Sequence, residues 1–251
     1  MSTSARKDRC FAMGIHKVPA HLSKEEFERQ IQALVDALVA VPVVQANLLK
    51  VEILLQNNEL DSHLKALGFP EPGPTVVCAV EYASEEHFVY IVQNTEVQKL
   101  LAGAQEFGYH EEANVFSADV VTKIDTYTPK DRVHIICICK VPPKMSKERF
   151  SQKMEAFMDR TLTHPMVERN VLKYTMWVQN NIIKDHVQAL AFPVPEPTVV
   201  VRVESENWGR FMELVQDPDF QLIFADTMQD FPFHIGGCCF SADVVTKIDE
   251  D

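Results

Sequence analysis

The chain is predicted to be an α+β protein built as two βαββαβ units in tandem, and three observations lead there. The decapeptide FSADVVTKID occurs twice, at residues 116–125 and again at 240–249. A shift of 123 positions lays Lys17-Val18-Pro19 on Lys140-Val141-Pro142, Gln56-Asn57-Asn58 on Gln179-Asn180-Asn181, and Pro74-Thr75-Val76-Val77 on Pro197-Thr198-Val199-Val200. Near the end of each half the shift becomes 124, which places one extra residue in the second half, in the loop around His234 to Gly237. Strand-like and helix-like segments follow in the same order on both sides. Repeats of this length exceed solenoid units and suit small domains. The organisation is therefore read as a first domain over 9–125, a linker over 126–131 and a second domain over 132–249.

Each element has a local reason. The first strands, Cys10 to Val18 and Val133 to Val141, are rich in apolar and β-branched residues, and Pro142-Pro143 cannot continue a central ladder. Ser23 with Glu26 three residues on makes a capping box, after which Phe27, Ile31, Leu34 and Leu38 recur at helical spacing. Ser146 opens the equivalent helix. Second strands are predicted over Leu48 to Gln56 and Val171 to Gln179, third strands over Thr75 to Tyr82 and Thr198 to Glu204. The helical stretches from Ser84 to Ala104 and from Ser205 to Met228 are each predicted to break, near Asn94 and at Asp217-Pro218, because proline suits a helix start and not its interior. The FSADVVTKID strands close each half.

This is the ferredoxin-like plan, a four-stranded antiparallel sheet with both helices on one face. The other face is left bare, and packing two such sheets face to face covers it. With both copies on one chain the closure is predicted to be internal and the protein a monomer, the six linker residues Thr126 to Asp131 spanning up to about 20 Å.

Alternation along the strands selects the side chains of the shared interior. In the second half it assigns His134, Ile136, Ile138, Thr175, Trp177, Arg202, Glu204, Asp243 and Val245 to that interior. In the first half it assigns Phe11, Met13, Ile15, Glu52, Leu54, Val77, Ala79, Glu81, Asp119 and Val121. His16 falls on the opposite side, toward the helices. Histidine, arginine and carboxylates among aliphatics suggest a small-molecule pocket, and buried charges must be paired or near water. Ion pairing at strand ends is the structural alternative for Arg202, Glu204, Glu81, Asp119 and Asp243.

The composition, 46% hydrophobic and 24% charged over 251 residues, supports a packed core, and a net charge of -12 repels phosphate backbones and anionic lipid. No nucleic-acid or membrane partner is expected, no apolar signal core precedes Arg9, and a cytoplasmic location follows. The six cysteines lie in strand-like stretches without a C-x-x-C pair and are read as buried thiols, with no metal site. A Gly-rich phosphate loop and a G-x-S-x-G elbow are absent from the sequence.

The run Thr163-His164-Pro165-Met166-Val167, with Leu172-Lys173-Tyr174, Pro193-Val194-Pro195, Asp217-Pro218-Asp219-Phe220 and the closing Val244-Val245-Thr246-Lys247-Ile248-Asp249, resembles the fungal EthD family of the dimeric α+β barrel superfamily. The resemblance covers the whole chain as two copies and is clearer in the second. It implies an intramolecular dimeric α+β barrel and cofactor-independent chemistry of the cyclase, dehydratase, decarboxylase or monooxygenase type, acting on aromatic or polyketide-like molecules of secondary metabolism. His164 is the histidine that matches the family motif. In the first half Val41 stands in its place and Asn94-Thr95-Glu96-Val97 replaces the Asp-Pro run, which implies a lost site there.

The candidate catalytic residues are thus His134, by strand parity and by the suitability of imidazole for proton transfer, and His164. The candidate ligand-binding residues are Trp177, Arg202, Glu204, Glu81, Asp119 and Asp243. His63 and His186 lie near turns and are read as packing residues. No cofactor is required; relatives in the superfamily that bind haem make His110, His134, His164 or His234 conceivable axial ligands. Two functions remain: a cofactor-free enzyme acting on a hydrophobic small molecule in a barrel cavity, and a noncatalytic stress-related or ligand-carrier protein on the same scaffold. A barrel cavity of roughly 300 Å³ or more with His134 at its wall favours the first; a filled barrel favours the second.

Overall fold

The computed structural model describes residues 4–5, 9–126 and 131–250. The linker residues Tyr127, Thr128, Pro129 and Lys130 lie outside them. The strands are β1 (Ser4–Ala5), β2 (Cys10–Lys17), β3 (Leu48–Asn57), β4 (Thr75–Tyr82), β5 (Asn114–Asp125), β6 (Val133–Lys140), β7 (Lys173–Asn180), β8 (Thr198–Ser205) and β9 (Cys238–Asp249). The first half carries α1 (Lys24–Val39), α2 (Pro42–Gln45), α3 (Asp61–Ala66), α4 (Glu85–Gln93) and α5 (Thr95–Ala104). The second carries α6 (Lys147–Leu162), α7 (Pro165–Asn170), α8 (Lys184–Ala189), α9 (Trp208–Val215) and α10 (Pro218–Asp230).

The strand order is β5-β2-β4-β3-β9-β6-β8-β7, all antiparallel, and β7 pairs back onto β5. Eight strands therefore form one closed barrel, with β1 added beside β5. Both seams join the two halves by backbone hydrogen bonds, β3 to β9 and β5 to β7. The covering of one half by the other is thus made along strand edges as well as across faces, which removes the free edges of both sheets.

The helix boundaries follow the sequence signals. Ser23 and Ser146 accept from the backbone N–H groups of Glu26 and Arg149. Asn94 and Asp217 cap the helices that follow them, so both predicted breaks occur.

The repeated motifs are concentrated at the seams. Asn180 Nδ2 donates to Asp119 Oδ1 at 2.9 Å, and Asn57 Nδ2 donates to Asp243 Oδ1 at 3.0 Å. The Ser117 and Ser241 hydroxyls donate to the amide oxygens of the same two asparagines. A bulge in each closing strand, between Thr122 and Ile124 and between Thr246 and Ile248, frees a lysine to reach the other half's first helix. Lys123 meets Asp159 and Glu155 at 2.8 Å, and Lys247 meets Asp36 at 2.6 Å.

Three cores result. The barrel interior holds Met13, Ile15, Leu54, Val77, Phe116, Ile136, Ile138, Val200 and Phe240. The other two lie between the outer face of the barrel and the helices of each half. They are stitched crosswise, since Leu60, Leu64 and Phe69 of the first half sit in the second half's core and Ile183 and Val187 of the second sit in the first's.

Three expectations are corrected. On the closing strands the interior face is Phe116, Ala118 and Val120, and Phe240, Ala242 and Val244, so Asp119 and Asp243 are exposed on the outside. Cross-strand partners share a face, and Phe116 pairs with Met13 and Phe240 with Ile136, which sets the parity. The Val-Val pairs at 120–121 and 244–245 conceal it in the sequence. Cys137 and Cys239 form a disulfide across the β6–β9 pair, where strand pairing and not sequence spacing brings them opposite. The extra residue lies earlier than the His234 to Gly237 loop. Phe107 packs edge-on against Phe27 as Phe231 does against Phe150, so the offset is already 124 at Phe231.

Candidate functional site

At one end of the barrel the predicted interior charges meet. Arg202 Nη1 donates to Glu52 Oε2 at 2.7 Å, and its Nε lies 2.9 Å from Glu204 Oε1. Arg132 pairs with the same Glu204, Lys50 lies 3.5 Å from Glu52, and Arg9 pairs with Glu81. Burial alone would raise the Glu52 carboxyl, but the Arg202 guanidinium holds it down at about 2.

His134 belongs to this network. Its Nδ1 lies 3.2 Å from Arg202 Nη2, and burial, reinforced by the Arg202 and Arg132 charges, lowers its pKa to about 3. The imidazole is neutral and accepts from arginine. Trp177, Thr175, Arg202 and Glu204 border a cavity of only about 100 Å³, which has room for water and little else. Below it the barrel is filled, as an eight-stranded barrel can be by its own side chains. The expected large barrel chamber is therefore absent among the described residues. His134 also borders an open surface groove of about 470 Å³ with Asp131, Glu206 and Asp243. Those carboxylates repel haem propionates, and Arg202 occupies His134 Nδ1, so this groove does not suit a haem.

His164 is the N-cap of α7. Its Nδ1 accepts from the Met166 N–H at 3.3 Å, and its Nε2 lies 3.2 Å from Asp217 Oδ1, the cap of α10. Asp219 joins the same group. His164 and Asp217 thus tie the starts of α7 and α10 together, outside the ion pairs of the barrel network.

An almost wholly apolar space lies elsewhere, between the outer barrel face and the helices of the first half. It encloses about 200 Å³, more than the roughly 150 Å³ that holds a benzene ring in an engineered apolar cavity. Leu34 and Leu38 of α1, Val97 and Leu101 of α5, and Val51 and Val80 of the sheet form part of its wall.

Two residues with polar side-chain atoms, His16 and Tyr109, are among those that line this space. His16, on β2, is 5% exposed, and its Nδ1 lies 2.8 Å from the Tyr109 carbonyl oxygen. A carbonyl only accepts, so Nδ1 carries the proton and Nε2 keeps a free lone pair. Burial lowers the pKa of this histidine, which is uncharged at neutral pH. The Nε2 atom lies back over Gly14, where an added β-carbon would stand 2.6 Å from it. Glycine at position 14 is what lets the ring take this pose. The Tyr109 hydroxyl is buried without a hydrogen-bond partner, an arrangement that is costly unless something binds there. An acceptor and a donor thus border an otherwise apolar pocket.

His16 lies on the helix-facing side, as strand alternation predicts. The half without the His164 motif is the one that holds the cavity. A signal was present: the 123 and 124 shifts set Leu34 against Phe157, Val97 against Phe220, Leu101 against Phe224, and Tyr109 against Phe233.

No family model and no curated protein matches the chain. Solved structures do match over nearly its whole length. A candidate monooxygenase from Fusobacterium nucleatum aligns with 97% of this chain and 95% of its own at 10% identity and a TM-score of 0.57. One from Lactobacillus acidophilus aligns with 97% of each chain at 8% identity and a TM-score of 0.52. An anthrone oxidase-like protein aligns with 98% of this chain and 96% of its own at 8% identity and a TM-score of 0.61. At such identities the likeness concerns the fold, a mixed α+β architecture around a closed eight-stranded barrel. Among the described residues no helix is long and apolar enough to cross a membrane.

Proposed function

We propose that the chain is a cofactor-independent enzyme of the oxygenase type that binds a small aromatic molecule in the first half's apolar pocket, with His16 as proton acceptor. The observation that carries this reading is that one apolar pocket is lined by both His16, neutral with Nε2 unprotonated, and Tyr109, whose buried hydroxyl has no partner, their rings 6.0 Å apart. A bound phenol or enolisable ketone would receive a hydrogen bond on its oxygen from Tyr109 and give a proton to His16. The resulting anion is electron-rich enough to react with O2, the one co-reactant: a C–O bond forms at the activated ring carbon, the hydroperoxide loses water, and the carbon is left as a carbonyl, one oxygen atom staying in the product and the other leaving as water, while apolar walls keep solvent from competing. The names of the fold neighbours, two candidate monooxygenases and an anthrone oxidase-like protein, agree with that chemistry.

We read the halves as two tandem ferredoxin-like domains, 9–125 and 132–249, of the EthD-like kind. Both barrel seams are made within the chain, which supports a monomer. The charged group at Glu52, Glu81, Arg202 and Glu204, with His134, is assigned to holding the barrel end together.

The filled barrel favours a second reading, a ligand carrier without chemistry. The discriminating experiment adds 1-naphthol or a related phenol and follows both the melting temperature and O2 consumption. Stabilisation with O2 uptake that disappears in His16→Ala supports the enzyme. Stabilisation without uptake leaves the carrier, and no stabilisation overturns the pocket as a ligand site.

A further inference from the structure

We propose that the second half governs entry to the first half's pocket, with Phe192 setting the size of molecule admitted and the Leu190–Phe192 turn serving as its door. This rests on the reading above that the pocket takes a ligand, and goes beyond it by naming what controls access.

After β7 the chain crosses to the other half. Ile183 and Val187, 0% and 1% exposed, anchor α8 in the first half's core. Leu190 and Phe192 then form part of the pocket wall. Phe192 stands edge-on to the Tyr109 ring at 5.4 Å and to the His16 ring at 6.4 Å, so it packs beside both rings of the site. Two residues later Val194 is 63% exposed. The turn therefore runs from the pocket wall to the surface within a few residues.

Ala191, between the two wall residues, has φ 67° and is the one residue other than glycine with a positive φ among those described. A β-carbon in this left-handed conformation is strained, and such strain persists only where the surroundings impose it. At the equivalent position of the first half stands Gly68, φ 91°, which carries no such penalty. The turn it belongs to sends Phe69 edge-on against Phe224 and Phe233. The strained version of the turn thus lies over the half with the apolar pocket, and the relaxed version over the half packed with phenylalanine rings. Strain stored in the closed turn makes opening easier, which is the property a door requires.

The test uses the full chain and stopped-flow fluorescence with 1-naphthol as probe. Ala191→Gly relaxes the closed turn and should slow association and dissociation together by about threefold or more, leaving Kd within about twofold, the signature of a gate. Phe192→Leu and Phe192→Ala should admit a three-ring anthracene derivative that the wild type excludes. Gly68→Ala, in the turn over the filled half, should leave both rates unchanged. Rates indifferent to Ala191→Gly, together with a size limit indifferent to Phe192, overturn this inference while the pocket stands. Failure of 1-naphthol to bind the wild type overturns both.

Discussion

Leu34, Val97, Leu101 and Tyr109 in the first half stand where Phe157, Phe220, Phe224 and Phe233 stand in the second. The backbone plan is the same and the filling is not. In the second half the phenylalanines meet ring to ring, Phe157 with Phe224, Phe157 with Phe233 and Phe220 with Phe224, each pair at 5.0 Å. In the first half smaller side chains leave about 200 Å³. His16 becomes Cys139 in the second half, a thiol pushed up to about 12 by burial, and the phenol of Tyr109 becomes a phenyl. The barrel interior differs in the opposite sense, because Arg202 of the second half corresponds to Ala79 of the first. One half thus carries the charge network that organises the barrel end, and the other carries the space and the proton acceptor.

The largest effect is expected from breaking the network. Arg202→Ala makes the second half resemble the first and leaves Glu52 and Glu204, 6% and 2% exposed, without their shared cation. Removing one partner of a buried ion pair costs about 3–5 kcal/mol, read as a drop in the urea midpoint. Arg202→Met with Glu52→Leu should recover most of it, since an apolar replacement of the whole pair is tolerated. Equal stability of the single and double variants would contradict this.

Next comes conversion of the first half's core into the second's. Leu34→Phe, Val97→Phe and Leu101→Phe together install rings that already pack well at the equivalent positions. The variant should fold with a melting temperature at or above the wild type's. At a ligand concentration of about 100 Kd the wild type gains about 2.7 kcal/mol from binding, and the filled variant should gain none. Retained binding would move the ligand site elsewhere.

Gly14→Ala probes the pocket more finely. Its β-carbon would stand 2.6 Å from His16 Nε2, so the ring must turn away or the strand must shift. A destabilisation of about 1–3 kcal/mol is expected from overpacking, with loss of any His16-dependent turnover. Unchanged turnover would remove His16 from the mechanism.

The pH dependence has a definite sign. His16 and His134 have folded pKa values below the usual histidine value, His134 at about 3. Above about pH 6.5 both are neutral folded or unfolded, and stability is flat on their account. Below it the unfolded chain takes up protons that the folded chain refuses, so stability falls by about 1.4 kcal/mol per pH unit for each histidine. For His134 this continues toward pH 3. Urea midpoints between pH 7 and pH 4 should show that slope, reduced by about one proton in His16→Phe.

The sequence was informative wherever local chemistry decides the outcome. Capping serines at 23 and 146, the helix breaks at Asn94 and Asp217-Pro218 and the inward faces of β2, β3, β4, β6, β7 and β8 were all legible from spacing and alternation. The closing strands were misread by one residue because Val120-Val121 and Val244-Val245 look alike from either side. The pocket was illegible for a different reason. A cavity is a volume left over where α1, α5 and the sheet meet, and no periodicity reports it. His164 drew attention through its motif, yet its geometry is that of a helix cap.

The smallest effect concerns the seams, where the halves are most alike. The bulged lysines Lys123 and Lys247 each reach an aspartate on the opposite half's first helix, but Lys123 also meets Glu155, and its side chain is 3% exposed against 18% for Lys247. Burial would lower the Lys123 pKa, and its bonds to Asp159 and Glu155 raise it instead. Lys247 faces a single aspartate that is more than half exposed, where an ion pair is worth about 0–1 kcal/mol. Lys123→Met should therefore cost about 1 kcal/mol and Lys247→Met a few tenths, with high salt lowering mainly the Lys247→Met cost and so widening the gap. If the two substitutions cost the same at low salt, the seams are energetically equivalent and the asymmetry between the halves is confined to their cores.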